Sequence, residues 1–437
     1  MDSDAITKIQ SIILIAIIAV AAVATYVLWD GPSQSSETIK IGVLADLDAY
    51  GKPDWQGALL AVEEINAEGG ILGRQVELIG EDHDGGVFSG ILTTALTKAI
   101  TQDQVDFIVG LAAGSTGFVV QDIIAQHKII FLSTGSGPEE VTQRILDDYD
   151  TFKYYFCTTF NQTCGKLTLT NSLISLREIT GFNKVGYLAE SLDWNEDQRE
   201  ALDAFLPENG FELVYKGTFP FSTVDFSSYF AAAEAAGVEM MIPMIALDKG
   251  IPFCNEYYDR QSPMLVSGVN IAASDSRGWE WTEGKCNHMA FAADPTSAGY
   301  PYTSKTVQTK EAYMNRWGEP ITRSATIYYD ATKFILKDAI ERAGTIETEA
   351  VIKALEETSV ETSNARDFVF TEAHSMMMGT NPNDPDAEYY MEMIFQWQDG
   401  ELIPVYPEKI RLEAGASYTF PDWSGPVSYT HLTLPTN

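Results

Sequence analysis

Two turns rich in glycine and hydroxyl side chains have the residue types that hold a small polar ligand. Residues 110–116 (GLAAGST) and 133–137 (STGSG) each follow a short apolar run typical of a buried strand. Ser115 and Thr116 begin a predicted helix, where unpaired backbone N–H groups and hydroxyls can bind a carboxylate or carbonyl oxygen. Ser136 offers another hydroxyl in the second turn. The turns together predict a convergent polar site, whereas the alternative is that Ser115 only caps its helix.

The elements that would position these turns alternate between strand and helix. Ile39–Ala45 is a β-branched apolar run, apolar residues recur at helical spacing over 55–65, and residues 75–80 have the pattern of a second strand. Gly69 and Gly70 would end the intervening helix. Such a β-α-β unit predicts a parallel sheet with a right-handed crossover. The alternation continues along the chain, and 437 residues are too many for one core, so the sequence predicts an α/β protein with two domains.

The chain is strongly acidic. It has 62 Asp and Glu residues against 28 Lys and Arg residues, a formal net charge of -34 and no basic tract. Such a charge repels nucleic acid and anionic lipid, so we expect no nucleic-acid partner. Adaptation to a salty exterior is one interpretation of the acidity, and an attraction for cationic ligands is the other. The sequence also lacks the Gly-x-Ser-x-Gly, Walker, His-Glu-x-x-His and Gly-x-Gly-x-x-Gly motifs that indicate an enzyme.

Longer stretches around these motifs resemble a known family. INAEGGILGRQVEL (65–78) and the segment 105–142, which contains both turns, are similar to type I periplasmic solute-binding proteins of ABC transporters, especially the branched-chain amino-acid and amide binders. The resemblance covers about residues 39–410. It implies two Rossmann-like lobes with parallel sheets, joined by a three-stranded hinge. Lobe 1 would comprise residues 39–157 and 294–345, and lobe 2 residues 158–293 and 346–415.

The resemblance also implies which residues contact the ligand. Ser115 or Thr116 would hold a ligand carboxylate, with help from Ser136. Trp194 occupies the place of an aromatic residue that closes over the ligand, and Asn161 the place of an aspartate on the second lobe. The full set of expected ligand contacts is Tyr50, Ser115, Thr116, Ser136, Asn161, Trp194 and Asn270.

One expected contact departs from the pattern of the family. Amino-acid binders present an acidic residue to the ligand ammonium where this chain has Asn270, and Asn270 can accept a hydrogen bond but adds no charge. Asp193, Asp248 or Asp275 could substitute from neighbouring loops. A neutral amide, a urea-like compound or a carboxylate is therefore an alternative to an α-amino acid as the ligand.

The function that the resemblance implies is that of the extracytoplasmic solute-binding component of an ABC importer. Its partners would be a small ligand, either an amino acid or an amide, and an ABC permease. We expect no catalysis, no cofactor and no metal ion. A ligand-sensing receptor domain that acts with a separate signalling partner is the alternative, and an amide- or ester-cleaving enzyme is a further one.

The two ends of the chain lie outside this resemblance. Residues 12–29 carry no charge and nearly match the thickness of a hydrocarbon core, so residues 1–29 are predicted to be a membrane anchor, with a cleavable signal as the alternative. Residues 30–38 would be a polar linker. The protein would thus sit on the outer face of the cytoplasmic membrane, or be secreted after cleavage. Residues 424–437 continue no pattern of the fold and resemble a non-native tail.

The four cysteines permit disulfides, since an even number outside the cytoplasm is compatible with an oxidised framework. Three pairings exist for four cysteines. Cys254 with Cys286 and, second, Cys157 with Cys164 are predicted, because each pair lies in one local segment. No Cys-x-x-Cys spacing occurs, which argues against a metal site formed by these thiols.

Overall fold

The computed structural model describes residues 38–45, 47, 51–83, 89–111, 114–135, 137–159, 162–246, 249–379 and 392–423. The predicted anchor, nearly all of the linker and the tail lie outside these described residues. So do three of the expected ligand contacts, Tyr50, Ser136 and Asn161. Among the described residues, no helix combines the length and the apolar character needed to cross a membrane.

The first sheet has five parallel strands in the order β2-β1-β3-β4-β5. The strands are β1 (Ile39–Ala45), β2 (Val76–Asp82), β3 (Phe107–Gly110), β4 (Ile130–Ser133) and β5 (Tyr155–Cys157). Helices connect them: α1 (Lys52–Ala67), α2 (Ser89–Lys98, extended by a π-helical turn Ala99–Asp103), α3 (Thr116–His127), α4 (Glu139–Asp147) and α5 (Tyr149–Phe152). The predicted β-α-β unit is confirmed, because β1 and β2 pair in parallel on either side of α1 in the sequence.

Helix α1 shows how the local sequence sets the ends of these elements. Pro53 lies in its first turn, where a missing N–H costs no helical hydrogen bond. After the helix, Gly69 and Gly70 adopt φ values of 109° and 82°, which residues with a Cβ rarely adopt. The N–H of Gly70 donates to the carbonyl of Ile65 at 2.9 Å. The two glycines end the helix as predicted.

The second sheet has seven strands in the order β14-β13-β10-β9-β8-β6-β7. The strands are β6 (Lys184–Glu190), β7 (Glu212–Phe219), β8 (Met240–Ile245), β9 (Leu265–Asn270), β10 (Ala290–Ala293), β13 (Met393–Gln398) and β14 (Glu401–Tyr406). The strands from β6 to β10 pair in parallel, whereas β13 and β14 are antiparallel, so the sheet is mainly but not wholly parallel. Asp399 and Gly400, both with positive φ, form the predicted hairpin turn.

Six helices accompany this sheet among the described residues. They are α6 (Gln162–Thr180), α7 (Glu196–Glu208), α8 (Ser227–Ala235), α9 (Gly250–Arg260) and the short helices α10 (Ile271–Ser274) and α11 (Gly278–Trp281). Apolar residues from both faces of the sheet are buried, in two clusters that include Phe230 and Phe253 on one side and Leu173 and Leu202 on the other. This double burial is the reason that the inner strands β8 and β10 are apolar along their whole length.

The later helices return to the first sheet. They are α12 (Pro295–Ala298), α13 (Ser304–Trp317), α14 (Arg323–Asp330, followed by a π-helical segment Ala331–Leu336), α15 (Lys337–Ala343) and α16 (Thr348–Glu356); α17 (Glu408–Glu413) follows β14. Helix α14 packs on α1, where the hydroxyl of Tyr329 donates to Glu64 Oε2 at 2.6 Å. The chain therefore passes between the two cores more than once.

Residues 346–379 pack differently from the division that the resemblance implies. Val351 and Leu355 of α16 are buried in the apolar core of the first sheet, not of the second. A short pair of strands follows, β11 (Ser359–Val360) and β12 (Phe368–Val369). The N–H of Cys157 then donates to the carbonyl of His374 at 2.8 Å, which ties this segment to β5. Helix α16 and the segment tied to β5 thus pack with the first core, and the lobe boundary at residue 346 stays a prediction.

The cysteines do not form the predicted disulfides. Cys157, Cys254 and Cys286 are buried free thiols, and the side chain of Cys164 lies outside the described residues. Burial raises the pKa of Cys157 to about 11 and that of Cys286 to about 12, so both stay protonated. These thiols act as small apolar core residues, which proximity in sequence alone could not distinguish from a pair.

Candidate functional site

The two hydroxyl-rich turns lie side by side at one edge of the first sheet. Gly110 at the end of β3 is the register partner of Ser133 at the end of β4. The N–H of Thr134 donates to the carbonyl of Gly110 at 2.9 Å. Gly137 in the second turn also faces the carbonyl oxygen of Gly114 in the first, because a Cβ on Gly137 would lie 3.5 Å from that oxygen. The predicted convergence of the two turns is confirmed for their described residues.

Ser115 lies at the N-cap position of α3. Ser115 precedes the helix and is exposed, and its side chain makes no capping hydrogen bond to the helix N-terminus. Thr116, the first helical residue, is buried. An exposed hydroxyl beside the positive end of a twelve-residue helix suits a carboxylate or a carbonyl oxygen. A ligand contact at Ser115 stays a prediction from the sequence.

A tyrosine that sequence patterns did not single out lies beneath these turns. Tyr328 of α14 is buried, and its hydroxyl donates to the carbonyl of Leu44 at 2.5 Å, at the end of β1. Burial raises the pKa of this phenol well above its usual value, and the negative charge of Asp54 raises it further. Tyr328 thereby joins the later helices to the carboxyl edge of the first sheet. The sequence around Tyr328 contains no pattern that predicts its hydrogen bond to the distant Leu44 carbonyl.

The matching edge of the second sheet carries Trp194. The residue lies in a 3₁₀ turn, Asp193–Asn195, directly after β6, as the resemblance implies for an aromatic residue at the ligand. Its indole Nε1–H donates to Glu190 Oε1 at 2.5 Å, and the N–H of Ala246 donates to the same oxygen at 3.0 Å. Glu190 is completely buried. The sequence offered no sign of Glu190, because an acidic residue at the end of a strand usually faces solvent.

Asn270 has a structural role in this arrangement of the loops. Its Oδ1 accepts the N–H of Ala273 at 3.0 Å and so caps α10. Its Nδ2 donates to the carbonyl of Gly250 at 3.1 Å and lies 3.5 Å from the sulfur of Cys254. The side chain is completely buried, so it offers no exposed surface to a ligand. Asn270 is thus a helix cap that also fixes α9, and a ligand contact at this residue stays a prediction.

The acidic substitutes for Asn270 are only partly described. Asp275 pairs with Arg277, with Oδ1 2.9 Å from the guanidinium Nε, so its charge is already compensated. The side chain of Asp193 and all of Asp248 lie outside the described residues. Across the part of the chain that the structure describes, no group of three or more His, Cys, Asp or Glu side chains could hold a metal ion.

A small cavity lined by polar and apolar residues lies where the chain passes between the two cores. Its volume is about 20 Å³. The lining includes residues that follow β5 and β10 and residues that precede β12, among them Thr158, Thr159, Asp294, Asp330, Thr362 and Asn364. Ser363 Oγ lies 2.7 and 2.8 Å from the two carboxylate oxygens of Asp330. Burial raises the pKa of Asp330 to about 7, although the Ser363 and Thr362 donors oppose that rise.

Taken together, two α/β units that present polar turns at the carboxyl ends of parallel strands define a protein built to bind a small solute between sheets. The sequence family described as "Periplasmic binding protein" matches residues 38–381, and the chain belongs to this family. The family is one of solute-binding proteins with an α/β fold of the periplasmic binding protein type I, and membership implies an extracytoplasmic location.

Relatives and solved structures agree with this assignment. The chain is 24% identical to "Leu/Ile/Val-binding protein homolog 7" of Brucella suis biovar 1, over 89% of this chain and 96% of the relative. The substrate-binding protein LivJ of Streptococcus pneumoniae, solved with isoleucine, superposes with a TM-score of 0.69 at 18% identity, over 84% and 100% of the two chains. A solute-binding protein of R. palustris, solved with benzoate, has a TM-score of 0.68 at 13% identity, over 84% and 96%. At these identities the solved structures establish the shared fold.

Proposed function

We propose that this chain is the solute-binding component of an ABC importer and that it closes on one small polar ligand, an amino acid of the branched-chain type. One observation carries the proposal: the turns after β3 and β4 lie side by side, joined by the hydrogen bond from the Thr134 N–H to the Gly110 carbonyl, and the exposed Ser115 lies beside them at the start of α3. A ligand carboxylate there would meet the hydroxyl and the positive end of α3. The relatives named Leu/Ile/Val-binding proteins support the ligand class.

A carboxylate without an ammonium group is the second candidate ligand. It is favoured by the burial of Asn270 at the place where the family presents an acidic residue, and by the pairing of Asp275 with Arg277. Neither side chain supplies a free negative charge for an ammonium group. The benzoate complex of the R. palustris neighbour gives this candidate a precedent in the same fold.

The two lobes of the proposed binder follow from the packing of the cores. Residues 39–157 and 294–379 would form lobe 1, and residues 158–293 and 392–415 lobe 2. The small cavity, whose lining includes Thr158, Asp294 and Asn364, would then lie at the hinge, because those residues belong to three separate passages of the chain. Ligand binding would drive closure only to the extent that the closed arrangement binds more tightly.

The proposed location is the outer face of the cytoplasmic membrane. Residues 1–29 would anchor the protein, the linker 30–38 would tether the lobes, and a permease would receive the ligand. Fractionation of cells that express the full chain tests the anchor, with a variant that lacks residues 1–29 but carries a cleavable signal as the control. Retention of the full chain and release of the variant are expected.

The genes next to the gene for this protein provide a second test. Genes for a permease and ATPases would support an importer, whereas a kinase gene would support the sensor alternative.

Thermal unfolding of the full chain with a panel of solutes tests the function. The panel contains leucine, isoleucine, valine, their amides and benzoate, with lysine and glucose as controls. A ligand at 100 times its Kd stabilises the folded state by about 2.7 kcal/mol, which raises Tm by several degrees. We expect such a rise for one branched-chain amino acid. A rise for benzoate alone favours the second candidate, no rise at all argues against the importer, and turnover of an amide would indicate an enzyme.

A further inference from the structure

Glu190 occupies an unusual environment for an ionisable side chain. It is the last residue of β6 and is completely buried. Its Oε1 accepts the indole N–H of Trp194 at 2.5 Å and the backbone N–H of Ala246 at 3.0 Å. One carboxylate oxygen thus holds a side chain and a backbone group in a fixed arrangement.

That geometry concerns a turn held from two sides. Glu190 Oε1 fixes the indole of Trp194, while the Glu190 carbonyl accepts the Nδ2–H of Asn195 at 2.8 Å. Arg199 Nε, one turn into α7, donates to Asn195 Oδ1 at 2.9 Å. The side chains of Trp194 and Asn195 in the 3₁₀ turn are thus both held by hydrogen bonds, and Trp194 also packs against the apolar cluster beneath β6.

The same carboxyl group connects two neighbouring strands. Ala246 directly follows β8, which pairs in parallel with β6. By accepting from both Ala246 and Trp194, Glu190 joins the ends of β6 and β8 at the edge of the sheet that carries the candidate site. A displacement of the indole therefore has to break a hydrogen bond to an acceptor that is itself fixed to a second strand.

We propose that Glu190 is the positioning residue of the ligand site: it holds Trp194 in its binding orientation before a ligand arrives. The inference rests on the proposed function in one respect, namely that Trp194 contacts the ligand. A side chain fixed in advance loses less conformational freedom on binding, so the acceptor at Glu190 raises affinity without touching the ligand. A glutamine at this place can still accept from the indole, whereas a methionine of similar length cannot.

The test uses the full chain labelled with 5-fluorotryptophan and fluorine NMR. The chain has eight tryptophans, and a Trp194→Phe variant identifies the Trp194 signal. Glu190→Met and Glu190→Gln are compared with Glu239→Gln. Glu239 is the matched control, because its Oε2 accepts the N–H groups of Asn183 and Lys184 at 2.8 and 2.9 Å at the opposite end of β6.

Without ligand, we expect the Trp194 signal to shift and broaden in Glu190→Met, to stay close to the wild-type position in Glu190→Gln, and to be unchanged in Glu239→Gln. An unchanged Trp194 signal in a folded Glu190→Met variant overturns the proposal. This readout requires no ligand, so it decides the positioning role even when no member of the solute panel binds the wild-type protein.

Titration with leucine, isoleucine and valine measures the consequence for binding. We expect Glu190→Met to weaken the affinity about tenfold or more, Glu190→Gln to restore most of it, and Glu239→Gln to stay within about twofold of wild type. Wild-type affinity in Glu190→Met, together with a shifted signal, contradicts the claimed effect on binding. Absence of binding in the wild type, with the signal shifted as expected, counts against the proposed ligand class and not against the positioning role.

Discussion

The candidate site has different parts at the carboxyl edges of the two sheets, backbone turns at the first and buried side chains at the second. On the first sheet, the site consists of backbone turns, in which the N–H of Thr134 bonds the carbonyl of Gly110 and an exposed Ser115 adds a hydroxyl. On the second sheet, it consists of buried side chains, in which Glu190 fixes Trp194 and Asn270 fixes the ends of two helices. The first edge is therefore suited to binding polar oxygens, and the second to holding an aromatic wall in place.

The largest expected effect contrasts one glycine from each edge. A Cβ on Gly250 would lie 1.7 Å from Asn270 Oδ1, so Gly250→Ala must displace a buried amide that caps α10. We expect it to lower the free energy of unfolding by about 3 kcal/mol. Gly137→Ala is the control, because its Cβ would meet the Gly114 carbonyl oxygen at an ordinary 3.5 Å. Urea unfolding measures both, and equal losses would contradict the contrast.

The next effect concerns the cavity between the edges. Since burial raises the pKa of Asp330 to about 7, the folded protein retains a proton that the unfolded chain loses near pH 4. The stability that this group contributes is present below pH 4 and is lost as the pH rises towards 7. The free energy of unfolding of wild type relative to Asp330→Asn should therefore fall by about 2 kcal/mol between pH 5 and pH 7.

Urea unfolding at several pH values measures that difference. Asp150→Asn is the control, because Asp150 is exposed. A difference between wild type and Asp330→Asn that does not change with pH would show that the Asp330 carboxyl is already ionised in the folded protein at pH 5.

A smaller effect separates the two roles considered for Asn270. Asn270→Ala removes the cap on Ala273 and the bond to the Gly250 carbonyl, so we expect a loss of about 1–2 kcal/mol in stability with little change in ligand affinity. Asn66→Ala, in helix α1 beside the first sheet, is the control. Like Asn270, Asn66 bonds backbone groups through both Oδ1 and Nδ2, in its case the N–H and the carbonyl of Val76. A loss of ligand affinity in Asn270→Ala without a loss of stability would support the ligand contact that the sequence predicts for this residue.

The smallest effect is expected at Ser115. Ser115→Ala should weaken ligand binding by about 1 kcal/mol and leave stability unchanged, because the hydroxyl does not cap α3. Thr303→Ala is the opposite case, since Thr303 forms a capping box with Thr306 at the start of α13. It should lower stability by about 1 kcal/mol without changing affinity. Calorimetric titration measures the affinity and urea unfolding the stability of both variants. A loss of stability in Ser115→Ala would indicate that Ser115 acts as a helix cap.

Much of the fold follows from local patterns in the sequence. The strand Ile39–Ala45, the helix stop at Gly69 and Gly70, and the hairpin turn at Asp399 and Gly400 depend on residues close together in the chain, and all three are found. The convergence of the two polar turns also follows, since the ends of neighbouring parallel strands meet at one edge of a sheet.

The remaining features depend on contacts between distant residues. Glu190 bonds the N–H of Ala246, and the hydroxyl of Tyr328 bonds the carbonyl of Leu44; no local pattern reports either contact. The spacing of apolar residues in helix α16 predicts that one face is buried but not in which core, so its packing on the first core could not be predicted. The disulfide prediction at Cys254 and Cys286 was wrong for a related reason, because burial as a free thiol and pairing look alike in sequence.

The central claim is that one ligand is held at the same time by the turn after β3 and by Trp194. A double-mutant cycle of Ser115→Ala and Trp194→Ala, with affinities measured by calorimetry for the tightest ligand of the solute panel, tests it directly. The two side chains belong to different sheets, so we expect the double variant to depart from additivity by at least about 0.5 kcal/mol, because both act through the same bound ligand. Strictly additive losses of binding free energy, or no loss in the Trp194→Ala variant, would contradict the claim that Ser115 and Trp194 bind the same ligand.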